Sequence, residues 1–473
     1  MSSFSDNWLT SAIQSGESRT LEFKAELPKD SRKWTKTIVA FANGAGGKLI
    51  IGINNKRVVT GIPHTMDIFE LRDKISDTIG EMCSPQIIPD ISLMNINGKQ
   101  ILVVEVYPGS DTPYYITAEG LERGTYIRLD ATTRNADDSM LQELELRSKK
   151  RFYDELPFPS LSVERKDIEK LCEDLSLRAK HAIKMDDLVN MGVLQKSHRS
   201  FEATRAYGIL IGKHDYTSRI QCALFKGTTR VNFIDKKDFE GPLYEQIEQA
   251  YAFVLKHINM AIGINGIVHE EKYELPPEAL RELIVNAAVH RNYMLPSSIQ
   301  VAIYDDRIEL SSPGTLYGTL TLSEAFEGRS AIRNKVLARV FEKADMIEGW
   351  GTGLKRIMEK CPEYGVAPPV FTEIGDMLRV NFYRPSYAGY REKTHTDQVT
   401  DQVTDQVKRL LACLGKKEMT VKEILKVLGL KHRPTFMADY LRPALKAGLV
   451  ELTQPDSPRS PSQKYRLAHR SKQ

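Results

Sequence analysis

At 473 residues the chain is too long for a single small binding module, and at roughly 100 to 200 residues per domain it predicts about three domains. With 41% hydrophobic and 27% charged residues, a mean hydropathy of −0.35 and no apolar run near the ~18 residues of a membrane span, it reads as neither a disordered tail nor a membrane protein. The five cysteines are scattered without a C-x-x-C pair, which excludes a zinc or disulfide framework, and the N-terminus lacks a basic region followed by an apolar stretch, so a cytoplasmic location is expected.

In chain order, Glu17-Ser18-Arg19-Thr20-Leu21-Glu22-Phe23-Lys24 alternates polar and apolar residues as a strand does. A helix over Lys36–Asn43, a glycine-rich turn at Gly44, Gly46 and Gly47, and a buried apolar strand, Lys48–Ile53, follow. Between Glu17 and Arg57 basic residues outnumber acidic ones 9 to 4, and Lys24 and Lys48 are candidate phosphate contacts. The glycines admit two readings, a close backbone approach to a ligand or a tight turn between packed elements.

The pattern E-S-x-x-x-E-F-K, then A-F-A-N-x-x-G-G and I-G-I, resembles the Schlafen-type AlbA_2 domain, a nucleic-acid-binding class, over about residues 15–135. In nuclease-active Schlafen proteins, glutamates spaced like Glu17 and Glu22 join an aspartate after the I-G-[IV] strand to hold a divalent metal. Here Asn54-Asn55 stands at that place, and a neutral amide is a poorer ligand for Mg²⁺ or Mn²⁺ than a carboxylate. The resemblance therefore implies DNA or RNA binding, with Glu17 and Glu22 as a nuclease remnant; a metal-dependent nucleic-acid-processing or defence enzyme is the alternative.

Met140–Leu146 reads as a helix stopped by Pro157 and Pro159. Residues 136–265 form a connector with strand-like runs at Tyr207–Gly212 and Arg219–Phe225 and no readable chemistry. Pro277 then opens a helix with Leu280, Leu283, Ile284 and Ala287 on its apolar stripe and Glu282, Asn286 and His290 at i, i+4 and i+8 on a polar face. A general-base carboxylate one turn from an amide oxygen suits water activation beside a metal-bound phosphate, although a solvated helix face explains the same spacing. Strands at Ser298–Ile303 and Arg307–Ser311 lead to Ser312-Pro313-Gly314, and Gly349, Gly351 and Gly353 form a G-x-G-x-G turn feeding a helix, whose N–H groups suit phosphate.

That order resembles the GHKL ATPase superfamily and its Bergerat nucleotide fold over about residues 265–385, in the version fused behind an AlbA_2 domain in bacterial transcriptional regulators. The resemblance implies ATP and Mg²⁺ as cofactors. Glu282 would activate water, Asn286 would hold Mg²⁺, and His290, Pro313, Gly314, Gly349, Gly351 and Gly353 would line the nucleotide site. Arg333, in a lid around Gly328–Asn334, would contact phosphate. The usual D-x-G-x-G box is replaced by the turn at Pro313 and Gly314, which leaves the base open.

A strand at Met377–Tyr383 precedes a threefold Thr-Asp-Gln-Val repeat, Thr396–Val407, read as a helical linker or a self-associating helix. Residues 408–473 contain 15 basic and 5 acidic residues, so this tail carries +10 and the preceding 407 residues −6 of the net +4. Thr420–Glu423 is a capping box, Gly429 stops that helix, and a second helix near Thr435–Ala447 carries Arg442 and Lys446, with Arg433 just ahead. Two strands complete what resembles a winged helix, which serves as a DNA reader or as a protein-docking module. The expected whole is an α/β and α+β multidomain protein: an AlbA_2-like domain (1–135), a connector (136–265), a GHKL-like domain (266–385), a linker (386–407) and a winged helix (408–473). The expected function is an ATP-binding, DNA-binding regulator and homo-oligomer with at most slow ATPase activity.

Overall fold

The computed structural model describes residues 2–63, 66–197, 200–265, 268–347, 353–385, 410–411, 413–415, 418–429, 436–441, 444–445, 449–453 and 463–467. The chain divides into two compact units, Met1–Tyr387 and Ala388–Gln473. It is a mixed α/β multidomain protein.

The first unit opens with α1 (Ser2–Ser15), β1 (Leu21–Lys24), α2 (Arg32–Asn43), β2 (Gly47–Ile51), α3 (Ile68–Met82), β3 (Cys83–Ser84), β4 (Asp90–Ile96), β5 (Lys99–Val106) and β6 (Tyr115–Ile116). After a short α4 (Gly120–Gly124) come the hairpin β7 (Tyr126–Leu129) and β8 (Thr132–Asn135) and then α5 (Asp138–Ser148). Four strands pair in the order β1-β2-β5-β4, with β1 and β2 parallel. Both faces of β2 and β5 are covered, which is why these strands read as continuous apolar runs. Leu49, Ile51, Leu102 and Val104 pack with Trp34, Ile38 and Phe41 of α2, whereas Ile50, Ile101 and Val103 pack with Leu9 of α1.

The middle of the chain supplies α6 (Arg165–Ala179), α7 (Met185–Met191), β9 (Leu194–Ser197), β10 (Ser200–Ala203) and α8 (Arg205–Leu210). The run Tyr207–Gly212, expected as a strand, is therefore largely helix. Ala206–Leu210 is buried on every side, so the apolar run carries no period that separates helix from strand. Thr204 starts the helix, its hydroxyl accepting the Tyr207 amide at 3.4 Å.

There follow β11 (Ile220–Phe225), β12 (Phe233–Phe239), α9 (Leu243–His257), β13 (Met260–Asn265), β14 (Val268–Tyr273), α10 (Pro277–Val289), β15 (Ile299–Ile303) and β16 (Arg307–Pro313). The unit closes with α11 (Leu322–Phe326), α12 (Lys335–Lys343), α13 (Gly353–Tyr364), β17 (Val370–Ile374) and β18 (Met377–Tyr383). A six-stranded sheet runs β12-β11-β15-β16-β18-β17, parallel only between β11 and β15. Val254 of α9 and Leu280, Leu283 and Ile284 of α10 meet Val301, Leu310, Val380 and Phe382 on one face of it. The core extends without a break from Ile168 to Phe382, so the stretch before residue 266 shares both sheet and core with the stretch after it.

The second unit contains β19 (Met419–Thr420), α14 (Val421–Leu428), β20 (Val450–Leu452) and β21 (Lys464–Leu467), with the strands ordered β19-β21-β20. The capping box forms: Glu423 N donates to Thr420 Oγ1 at 3.4 Å, and Thr420 N donates to Glu423 Oε2 at 2.7 Å. Gly429 ends α14 at φ +67°, and Leu410, Leu414, Ile424, Phe436, Leu441 and Tyr465 form the unit's core. Arg433, Arg442, Lys446 and the Thr-Asp-Gln-Val repeat lie outside the described residues.

Candidate functional site

Helix α10 starts at Pro277, where a missing N–H costs nothing, and its outer row Glu282, Asn286 and His290 lines a cavity of about 330 Å³. Ser312 at the end of β16, the segment from Gly314 to Leu320, residues 328–333 and Gly353 of α13 form the other walls. Pro313 ends β16, paired with Met377 of β18, and is not among the lining residues. Glu282 is buried, and Asn286 Nδ2 donates to its Oε1 at 3.0 Å. That bond fixes the amide so that Asn286 Oδ1, without a protein donor among the described residues, is the acceptor left for a ligand. Arg356 Nη2 lies 3.8 Å from Glu282 Oε2. A Cβ on Gly353 would collide with Glu282 Oε1, so a larger residue at the start of α13 would push this carboxylate aside. The N-terminal end of a helix favours negative charge there. Gly349 and Gly351 lie outside the described residues.

At the other end of the row, burial and then the Arg333 charge pull His290 down to about 4 from an ordinary 6.5. The imidazole is neutral at pH 7, one donor and one acceptor rather than a cation. Gly314 turns at φ +98° where a Cβ would stand 2.5 Å from Arg333 Nη1, and its N donates to Asp376 O at 2.7 Å. Arg333, expected to meet phosphate, lines the cavity but is 6% exposed and already engaged. It donates to His290 O and Thr315 O, each at 2.8 Å, and pairs with Glu143 at 3.4 Å. Its guanidinium thus ties the cavity wall to α5.

The residues singled out near the N-terminus come together differently from a metal centre. Lys24 Nζ bonds to Glu22 Oε1, and Arg128 Nη1 lies 2.6 Å from Glu22 Oε2. Glu17 Oε1 accepts the Phe23 amide at 3.0 Å. Asn54 Oδ1 accepts the amides of Lys56 and Val58 at 2.9 and 3.0 Å and so closes a turn. Lys48 pairs with Glu105 and lies 5.5 Å from the Trp8 ring centroid. Among the described residues no group of three or more His, Cys, Asp or Glu is placed to hold a metal.

The glycine turn serves packing. A Cβ on Gly46 would sit 2.6 Å from Val106 O, and one on Gly47 2.5 Å from the Phe41 ring. Asn43, ahead of the glycines, is 2% exposed and donates to Tyr114 O and Tyr126 O at 2.8 and 2.9 Å while accepting Tyr114 N at 2.7 Å. Sequence reasoning missed Arg19, Arg128, Glu143 and Asn292. Asn292 Nδ2 donates to Glu143 Oε2 at 2.9 Å, across a sequence distance that no local pattern spans.

Residues 17–137 match the family described as Schlafen, AlbA_2, and residues 297–382 the family described as Putative ATP-dependent DNA helicase recG C-terminal, so the chain carries an AlbA_2 domain and a recG-like HATPase domain. Residues 405–468 match a third, Filamentation induced by cAMP protein Fic-like, C-terminal domain, which the sequence reading did not name. No curated protein matches the chain. Among solved structures it is similar to the DIP2311 protein of Corynebacterium diphtheriae, at 18% identity and TM-score 0.41, covering 98% of this chain and 96% of that one. It is also similar to the N-terminal domain of a putative ATP-dependent DNA helicase RecG-related protein from Nitrosomonas europaea, at 25% identity and TM-score 0.21, over 29% of this chain and 95% of that one. A Fic family protein from Desulfovibrio desulfuricans G20 matches at 18% identity and TM-score 0.17, over 72% and 78%. No helix among the described residues is long and apolar enough to cross a membrane.

Proposed function

We propose that the chain is an ATP-binding, DNA-binding regulator acting as a cytoplasmic homo-oligomer, with a GHKL-type nucleotide site in the cavity beside α10. The observation that carries this reading is the Glu282–Asn286 pair on the cavity wall, in which a buried carboxylate holds an amide so that its oxygen is left for a ligand. That donor set fits Mg²⁺ arriving with a nucleotide: one amide oxygen is a partial shell, and hydrated Mg²⁺ is usually held by one or two protein groups together with phosphate oxygens. The ion would be held by Asn286 and would neutralise phosphate charge. Glu282 is placed to take a proton from water, but its hydrogen bond with Asn286 and the Arg356 charge beside its other oxygen compete for that role, so turnover should be slow. The two matched families, one described as Schlafen, AlbA_2 and the other as an ATP-dependent DNA helicase C-terminal part, support a nucleic-acid-associated, ATP-using protein. The basic tail supports DNA as its partner, and we read the second unit as a winged helix.

Titration calorimetry tests the reading. A non-hydrolysable ATP analogue with Mg²⁺ should bind, Asn286→Ala should weaken it about tenfold or more because it removes a protein ligand of the ion, and Glu282→Ala should abolish hydrolysis. Absence of binding heat from ATP, ADP and the analogue alike would refute the nucleotide site.

A further inference from the structure

A second cavity, of about 80 Å³, shares Gly314, Thr315, Leu316 and Arg333 with the first and takes its remaining walls largely from the N-terminal part of the chain. One water needs about 10–15 Å³ of such space, so the cavity has room for several waters or one small oxyanion. Four arginines line it. Three have carboxylate partners: Arg19 pairs with Glu373 at 3.1 Å, Arg128 with Glu22 at 2.6 Å and Arg333 with Glu143 at 3.4 Å. Arg147 of α5 has none among the described residues. Its Nη2 donates to Asn43 O at 2.6 Å, and its other donors meet no protein acceptor among those residues. A Cβ on Gly318 would stand 3.9 Å from Arg147 Cδ, so the side chain reaches from α5 to the segment that walls the first cavity. Burial holds its pKa below the ordinary value against the raising effect of Glu143, and the guanidinium still stays charged at neutral pH. Arg333 adds a second unused donor, because its Nε is buried without a hydrogen-bond partner although Glu143 Oε2 is 3.4 Å away. Of the two carboxylates in the lining, Glu143 is already held by Arg333 and by Asn292 Nδ2, and Asp376 is exposed to solvent. The cation in excess is therefore Arg147.

We propose that this second cavity is a phosphate site, in which Arg147 and Arg333 hold a phosphate group, free or carried by a small molecule, between α5 and the Gly314–Leu316 segment. Charge and shape both point to such a ligand. A partly buried cation without a counter-ion carries a desolvation cost that nothing in the protein offsets, and an anion entering the cavity offsets it. A guanidinium presents a planar fork of donors that matches phosphate oxygens. Two forks on different walls suit a tetrahedral group better than the single plane of a carboxylate. The site uses neither Glu282 nor Asn286, so it stands whether or not the larger cavity takes nucleotide.

The test is calorimetric titration of the full chain with inorganic phosphate, in a buffer free of other oxyanions. Wild type should show saturable binding, and Arg147→Gln should weaken it about tenfold or more, as loss of hydrogen bonds to a charged group does. Arg147→Lys, which keeps the charge and loses the fork, should fall between the two. Urea unfolding guards against a folding defect: saturating phosphate should raise the midpoint of wild type and not that of Arg147→Gln, a difference that a merely weakened fold would not produce. Phenyl phosphate separates the two sources of the group. Binding at least as tight as that of inorganic phosphate assigns the site to a phosphorylated small molecule, exclusion of the ester assigns it to free phosphate, and either supports the proposal. No saturable heat up to millimolar phosphate, an equal midpoint shift in wild type and Arg147→Gln, or acetate binding as tightly as phosphate overturns it. Phosphate binding lost in Asn286→Ala and kept in Arg147→Gln would place the anion in the larger cavity and overturn it as well.

Discussion

Each oxygen of Glu22 already faces a cation, Lys24 at Oε1 and Arg128 at Oε2, and the Arg128 side chain is only 2% exposed. A carboxylate so neutralised is a weak metal ligand, and the place where Schlafen nucleases show aspartate holds Asn54, whose oxygen is committed to backbone amides. Incubation with RNA or DNA and Mn²⁺ should therefore give no cleavage above background; strand scission that disappears in Glu22→Ala would contradict this. The same substitution should cost about 3 kcal/mol in urea unfolding, because it strands the Arg128 charge in the interior. From residue types and spacing alone, Glu282, Asn286 and His290 could be placed on one helix face, since i, i+4 and i+8 is a local relation. Arg128, Arg19 and Glu143 could not, because each acts on groups that lie from about a hundred to several hundred positions away and nothing local marks them. Arg333 shows the limit from the other side: the sequence suggests a phosphate contact in a lid, and nothing local marks its commitment to two carbonyls and Glu143.

At the scale of elements, α12 is started by a group from far outside it. Asp154 Oδ2 accepts the amides of Val336 and Leu337 at 2.7 and 2.9 Å, although the residue at the helix's own N-cap is Asn334. Burial of the carboxyl raises Asp154 from 3.8 to about 7, against the lowering effect of those two amides. The folded state thus keeps a proton that the unfolded chain has released, so this group's contribution to stability falls as pH rises from about 4 to about 7 and is level above that. His214 and His290, both pulled down to about 4 by burial, act with the opposite sign, withdrawing stability as pH falls from 6.5 towards 4. Only a comparison isolates Asp154. Asp154→Asn keeps an acceptor for both amides and cannot ionise, so relative to wild type it should gain up to about 3 kcal/mol between pH 4.5 and pH 8, from the roughly 2.5 units between pH 4.5 and about 7 at 1.36 kcal/mol each. Chemical denaturation at the two pH values measures this, and an unchanged difference would show that Asp154 titrates normally. The elements anticipated correctly are those with a local signature: Met377–Tyr383 by its alternation, α10 by Pro277 and its stripe, α14 by its capping box and Gly429. Helix α8 failed because complete burial erases periodicity.

For the whole molecule the strongest asymmetry is electrostatic. Residues 408–473 carry +10 and the rest of the chain −6, so duplex DNA should be drawn to the second unit, whose described core is separate from that of the first. Deleting residues 408–473 leaves a chain of net negative charge and should remove most duplex affinity at about 0.1 M salt. Analogue binding should persist, since the cavity is lined entirely from the first unit. The contacts themselves can be sorted by salt. If Arg433, Arg442 or Lys446 meets a phosphate, its replacement by alanine should lower the magnitude of the log K against log salt slope by about 0.9 and weaken every sequence alike. Loss of a bidentate base contact should instead cost about 1 to 3 kcal/mol and relax preference at one position. Fluorescence anisotropy over a salt series distinguishes the two, and duplex affinity unaffected by the deletion would make the second unit a protein-docking module and leave DNA recognition to the first unit.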